Sequence, residues 1–495
     1  MPDLDAVVVG AGPNGLAAAL TLAAAGLSVR VIEGAATVGG GCRTAELTEP
    51  GVRHDVCSTV HPLAVASPFF RWFDLEQRLS DRRVRLLHPD IAFAHPLDGG
   101  RAGVVVRSVD DTATGLGPDA RTWSRTFAPL VDRMDAIVPA VLAPLRSIPS
   151  RPLAAARFAP VGVSSAKRLA HRFDEAEARG LVAGVSAHAM LPLDRLPTGA
   201  FGSLLTVLAH GVGWPVVEGG SQAIIDEMTA ALAELGGEVV TGQWVTTLAD
   251  LPPSRAVLFD LAPTQLAAIA GDQLPASYRS ALRRFRHGPG VCKVDWTLSG
   301  PVPWSSDAAR RAGTVHVGGT FEEVAAAEAQ VAAGRHPERP FVLVVQPSIV
   351  DESRAPAGKH VLWAYCHVPA NSDVDMTVAI EQQIERFAPG FRDLVVARST
   401  MTAADEEKAH PNYVGGDINV GAATLRQMVF RPAMRWDDYS TPNPSIFLCG
   451  SATPPGGGVH GMCGLFAARS VLRKRFDIKD MPPVPARQAA ADAAA

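Results

Sequence analysis

Charge, aromatic rings and lysine are all scarce in this chain. Charged residues fill 19% of its 495 positions and aromatic residues 6%. A net charge of −4 gives no broad field for nucleic acid, which is excluded as a partner. Six of the 46 basic residues are lysine, and the arginine- and alanine-rich remainder is the habit of a GC-rich bacterial genome. The six cysteines form no C-x-x-C pair and none sits beside histidines at zinc spacing. No metal and no disulfide framework are expected, and the thiols fit a reducing cytoplasm. Apolar runs are short. Residues 16–27 are alanine-rich and too short to span a bilayer, while glycine, His210 and Pro215 interrupt 199–217. The N-terminus lacks a positive n-region, which predicts no secretory signal and a cytoplasmic location. There is no internal repeat. Residues 481–495 are rich in proline and alanine and read as a disordered tail.

What is present is glycine in three organised places. Val7, Val8 and Val9 run into Gly10-Ala11-Gly12-Pro13-Asn14-Gly15, a strand followed by a tight turn and a helix start. Gly10 permits the turn, Gly12 lets a pyrophosphate approach the backbone, and Gly15 lets helix and strand pack closely. Pro13 and Asn14 open the helix, whose N-terminal amides face the phosphates. A second strand ends at Glu33, placed to accept hydrogen bonds from ribose hydroxyls. The second place is Gly39-Gly40-Gly41-Cys42-Arg43, where Arg43 either meets a phosphate as a charged fork or is solvated. The third lies near the far end: Leu448-Cys449-Gly450-Ser451, then Gly456-Gly457-Gly458-Val459-His460-Gly461.

The chain between them changes texture. Residues 66–214 are rich in arginine, proline and alanine, with helices predicted over 122–138 and 164–178. In the second, Leu169 and Phe173 share a face flanked by Lys167, Arg168, His171 and Arg172. That is a solvated basic face or a peripheral membrane contact. Residues 215–262 return to an alternating α/β pattern, with Ser221 as the N-cap of a helix. Strands at 291–298, 341–346 and 361–367 and a helix at 376–387 read as a mixed sheet.

These motifs together resemble the phytoene desaturase and flavin amine oxidase superfamily, over nearly the whole chain. The resemblance is closest to bacterial phytoene-dehydrogenase-like oxidoreductases of the pyridine nucleotide-disulphide oxidoreductase domain 2 type. It implies an α/β fold. A Rossmann-like FAD-binding domain, split over 1–65, 215–290 and 435–480, would be joined by a substrate domain of mixed sheet and helices over 66–214 and 291–434. It implies non-covalent FAD held by Gly10, Gly12, Pro13, Asn14, Gly15, Glu33, Gly40, Gly41, Arg43, Gly450, Ser451, Gly458, Val459 and His460. The backbone of Val245, in a segment resembling the middle FAD contact, would meet the adenine. Ser451 stands where an acidic residue often follows the terminal glycine. The chain also lacks the usual Asp-Gly hairpin before Ala256.

Four residues are candidates for catalysis. Lys293 lies in the apolar strand Val291-Cys292-Lys293-Val294-Asp295-Trp296, where an unpaired charge is costly. The resemblance puts it near the flavin N5; otherwise it points to solvent. His460 sits in the glycine run as a general base or as a histidine satisfied by backbone. In the loop 410–419, Tyr413 or Asp417 faces substrate, or Asp417 caps a turn. With four tyrosines and none in the terminal motif, an aromatic cage for an amine is not expected. The expected activity is FAD-dependent hydride removal from a hydrophobic small molecule, with O2 or a quinone reoxidising the flavin. The alternatives are a flavin-dependent isomerase or saturase, and a non-catalytic binding protein on the same fold. The sequence leaves the oligomeric state open.

Overall fold

The computed structural model describes residues 4–147 and 152–484. Two sheets organise it. The first is wholly parallel, in the order Ile446–Leu448, Ser254–Phe259, Leu4–Val9, Val29–Ile32 and Glu238–Val240. Its central strand is nearly all aliphatic because helices cover both faces of the sheet. The alanine-rich helix Pro13–Ala24 begins with proline at its first turn and packs on the last helix, Met462–Arg475. Contact there is so close that a Cβ on Gly464 would lie 2.0 Å from the Asn14 carbonyl oxygen. The two ends of the chain are thereby locked into one domain.

The second sheet has seven strands, in the order Val395–Met401, Gly290–Leu298, His360–Val368, Val342–Val345, Ala312–Val317, Ile91–Pro96 and Ala102–Val106. All neighbours are antiparallel except Ala312–Val317 with Ile91–Pro96. Every residue of Gly290–Leu298 is buried, so this strand is central rather than half-solvated. The helix Ala176–Ala187 lies close on the sheet. Its glycines make that possible, because a Cβ on Gly180 would meet the His95 ring and one on Gly184 the His316 Cβ, each at 2.5 Å.

Several sequence-based expectations need correction. The helix expected over 164–178 is two helices, Ala166–Ala170 and Ala176–Ala187. The Asp119 carboxylate accepts the amides of Asp174 and Glu175 and so caps the second separately. Leu169 and Phe173 face the core, leaving no apolar stripe there to press on a membrane. No described helix is long and apolar enough to cross one. The helix expected over 122–138 is likewise divided, into Ala120–Val131 and Met134–Val141. Ser221 makes no side-chain cap; its hydroxyl donates to the Ser58 carbonyl and contacts His61 Nε2. Of the expected tail, 485–495 lies outside the described residues. Pro482 is held by the Trp72 indole N–H at 3.2 Å.

Arg354 joins the parts. Its guanidinium is fully buried and donates to Asp55 Oδ2 at 2.9 Å, Asp351 Oδ2 at 2.6 Å and the Val217 carbonyl at 3.1 Å. Burial alone would raise the Asp55 pKa. The opposing pull of Arg354, the Ser221 amide and the Thr44 hydroxyl holds it below the ordinary value. Replacing Arg354 with leucine strands two buried carboxylates, at a cost on the order of 3–5 kcal/mol. The urea midpoint of Arg354→Leu is expected to fall well below that of the parent; an unchanged midpoint would show the pair to be dispensable.

Candidate functional site

One cavity of about 280 Å³ lies between the two sheets. Its floor is backbone: Gly12 and Asn14 from the first glycine loop, Gly40 and Gly41 from the second, Gly450, Ser451, Gly458 and Val459 from the third. The opposite wall is apolar and aromatic, with Leu343, Val345, Trp363 and Tyr365 from the second sheet and Leu205 and Trp214 beside them. Trp363 and Tyr365 stack at 5.9 Å. Both indole N–H groups are spent, Trp363 on Thr59 Oγ1 and Trp214 on Thr314 Oγ1, so the rings stand in fixed positions. Two of the chain's four tyrosines, Tyr365 and Tyr413, line this cavity, which composition alone gave no hint of.

The floor is shaped for a dinucleotide. Gly10 has φ +101°, and a Cβ on Gly15 would lie 2.1 Å from the Gly10 carbonyl oxygen. A Cβ on Gly40 would come within 3.2 Å of Gly12 Cα, so two glycine loops meet back to back. Asn14 Oδ1 and His61 Nδ1 are buried at the cavity without partners, which suits a polar ligand. Glu33 accepts the Ala11 and Ala35 amides at 2.8 and 2.9 Å, which puts its carboxylate at the edge of the first loop. The segment carrying Val245 runs alongside, with the Gln243 amide donating to the Glu33 carbonyl at 3.0 Å. Trp244 covers Gly34, where a Cβ would meet its ring at 2.7 Å. Arg43 is turned to its own loop: Nε donates to the Gly40 carbonyl at 2.8 Å. These residues fit an adenine dinucleotide such as FAD.

Two residues, one in the floor and one beneath it, went unnoticed in the sequence. Asp260 ends the strand Ser254–Phe259, at the carboxyl edge where parallel sheets bind ligands. Its Oδ2 accepts the Gly15 amide at 2.9 Å and is the first atom a Cβ on Gly12 would meet, at 2.8 Å. Burial pushes this carboxyl up to about 7, the Gly15 amide opposing and the charge of Glu33 adding. A strand ending in aspartate at that edge was the available signal. Arg431 is the second. It is buried beneath the third loop and donates to the carbonyls of Ala452, Val420 and Ser451. No local pattern marks it.

The four catalytic candidates fall in different places. Tyr413 lines the cavity at its floor, where its hydroxyl occupies the space a Cβ on Gly41 would need, and it stacks on His410 at 4.5 Å. Lys293 is buried and does not point to solvent. It is paired with Asp295, and its Nζ lies 5.2 Å from the Trp363 ring centre, beside Trp363 and Tyr365 on the same face of the sheet but not on the cavity lining. His54 Nδ1 lies 3.4 Å from the other oxygen of Asp295. Asp417 is off the wall. Its carboxylate accepts the amides of Gly288, Asn419 and Gly421, which is a loop cap and leaves little to offer a substrate. His460 is off the wall too. Its Nδ1 accepts the Met462 amide, its Nε2 donates to the Gly456 carbonyl, and burial lowers its pKa to about 4. Both nitrogens being used, it pins the glycine run in shape instead of acting as a base.

Comparison with known proteins agrees with this arrangement. Residues 8–75 match the NAD(P)-binding Rossmann-like domain. The chain is 26% identical to pyridine nucleotide-disulfide oxidoreductase domain-containing protein 2 of Mus musculus, over 97% of this chain and 94% of that one. Relatives are therefore not confined to bacteria. An oxidoreductase from Methanosarcina mazei superposes with a TM-score of 0.62 at 17% identity, covering 95% of this chain and 100% of that one. A redesigned putrescine oxidase does so with a TM-score of 0.60 at 20% identity, covering 94% and 98%. The chain thus sets an NAD(P)-binding Rossmann-like domain within the fold of the flavin amine oxidase-type oxidoreductases, the superfamily its glycine motifs resemble.

Proposed function

We propose that the protein is an oxidoreductase that uses non-covalent FAD to take a hydride from a neutral, largely apolar small molecule. The observation that carries this reading is the continuity of the cavity: the glycine floor and the aromatic wall enclose the same space. Bound flavin would supply the hydride acceptor. Gly12, Asn14, Gly40, Gly41, Arg43, Gly450, Ser451, Gly458 and Val459 would hold the cofactor, with Glu33 at the ribose and the Val245 backbone at the adenine. The aromatic wall orients the substrate and keeps water out. No lysine, arginine or glutamate lines the cavity among the described residues, and Asp260 is its one carboxylate. That distribution favours a neutral substrate over an ammonium ion. Tyr413 stands at the floor in reach of cofactor and substrate. Lys293 acts at one remove, as a positioning residue that steadies Trp363 from the neighbouring strand.

The purified protein is expected to carry FAD at about one per chain, released into the supernatant by heat or acid and identified by chromatography. Flavin left in the precipitate would refute the non-covalent mode, and no flavin in either fraction would refute the reading. Gly12→Val is expected to lose the flavin while circular dichroism stays close to that of the parent, because the new side chain fills the path of the pyrophosphate.

Affinity for FAD is also expected to depend on pH through Asp260. Below its pKa of about 7 the carboxyl is neutral and tolerates the pyrophosphate. Above it a negative charge stands in the cradle, so the Kd rises with pH by up to about tenfold per unit. Titration of FAD fluorescence from pH 6 to pH 9 measures this, and Asp260→Asn is expected to flatten the profile. A flat profile in the parent would show that Asp260 stays neutral or swings clear.

A further inference from the structure

Beyond the glycine floor, the cavity wall carries a pair of histidines built for its place. His188, just after the helix Ala176–Ala187, lines the cavity. Its Nε2 lies 2.9 Å from Nε2 of His316, with the two rings perpendicular at 5.1 Å. His316 is fully buried on the strand Ala312–Val317, with Phe93 at 5.3 Å and Phe341 at 6.1 Å. The room for it comes from Gly184, where any Cβ would strike the ring. The other nitrogen of His188, Nδ1, makes no hydrogen bond to any described residue.

A nitrogen-to-nitrogen contact of that length holds one proton between two lone pairs. If His188 donates it, Nδ1 of His188 is a bare acceptor toward the cavity. If His316 donates it, Nδ1 of His188 carries the proton and becomes a donor. The two neutral arrangements therefore differ at the cavity-facing atom, an acceptor in one and a donor in the other, and they interchange by a change of tautomer in both rings and not by transfer of the shared proton alone. Burial holds both rings neutral at physiological pH, lowering His188 to about 3 and His316 well below its ordinary value. Thr59 and Thr314 on the same wall are engaged by the Trp363 and Trp214 indoles, and the other polar group there is the weakly acidic hydroxyl of Tyr365.

We infer that the His188–His316 pair is the specificity-determining anchor of the cavity and holds a single neutral oxygen function of the substrate, a hydroxyl or a carbonyl. The pair accepts from the hydroxyl in one arrangement and donates to the carbonyl in the other. An ammonium ion or a carboxylate would lose its hydration against an apolar wall with no opposite charge to meet it. The substrate class is thus an apolar, ring-sized alcohol or ketone. This rests on the oxidoreductase reading for its chemical consequence, though binding itself needs no redox step.

The test uses the protein as purified and four probes with the same six-membered ring: cyclohexanol, cyclohexanone, cyclohexylamine and cyclohexanecarboxylate. Binding is followed by tryptophan fluorescence, since Trp214 and Trp363 face the cavity. The alcohol and ketone are expected to bind at least about tenfold more tightly than the two ions, the worth of one buried hydrogen bond. His188→Leu is expected to remove that advantage, and His188→Gln, which keeps a donor and an acceptor, to restore most of it. Tightest binding by the amine or the carboxylate would overturn the inference. So would equal binding by all four, binding by none, or a preference that survives in His188→Leu. Wild-type selectivity alone decides the matter should both variants misfold. Protein that lacks flavin but keeps the preference would refute the redox function and spare the anchor. Flavin without the preference would refute the anchor alone.

Discussion

A buried arginine makes the rest of this structure possible. The chain enters the nucleotide domain, leaves it, returns and leaves again, so segments far apart in sequence must be held in register. Arg354 does this from the connection between the strands Val342–Val345 and His360–Val368. It binds Asp55 from the first segment, the Val217 carbonyl from the second and Asp351 from its own. Asp55 then passes the constraint on by accepting the Ser221 amide and the Thr44 hydroxyl, next to the second glycine loop. A hydrophobic contact would bury as much area but would not fix direction. A guanidinium with three acceptors at set angles does.

That register is what brings the glycine loops together. Gly12 and Gly40 approach so closely that a Cβ on Gly40 would lie 3.2 Å from Gly12 Cα, and Gly464 seats the last helix on the first. A floor of bare backbone has many amides and little else, which suits phosphate. It also brings the neighbouring strand end close, and there the chain carries Asp260. In a cradle meant for an anion a carboxylate is tolerable because burial keeps it near half-protonated at neutral pH. Burial and the charge of Glu33 raise it against the pull of the Gly15 amide, and under the proposed FAD reading that proton becomes a control on occupancy.

Local patterns in the sequence were enough for the elements whose meaning is local. Gly10, Gly12 and Gly15 declare a tight turn by spacing, and the burial of Lys293 follows from its apolar strand. Features that need two distant segments were not legible. His188 and His316 look unrelated until the helix Ala176–Ala187 lies on the second sheet, and that packing depends on Gly180 and Gly184, which read as ordinary helix weaknesses. Asp417 and His460 looked reactive because polar residues in glycine-rich loops are often functional. The same loops need their amides and carbonyls satisfied, and both side chains are consumed in doing so. The helix expected over 164–178 failed for a similar reason, since the residue that divides it, Asp119, comes from another element.

The charges nearest the cavity share one disposition. Lys293 is answered by Asp295 beside Trp363, and Arg431 by three carbonyls beneath the third loop. Neither lines the cavity, whose wall stays neutral and aromatic. Hydride transfer moves a nucleus together with its electron pair, so a site for it gains more from shape, dryness and fixed rings than from an exposed charge. Exposed charge would instead draw water in and bind ions. Burying the cations away from the cavity lining keeps their field and their bracing while denying both, and it leaves neutral side chains, the His188–His316 pair and Tyr365 among them, as the polar groups of the wall.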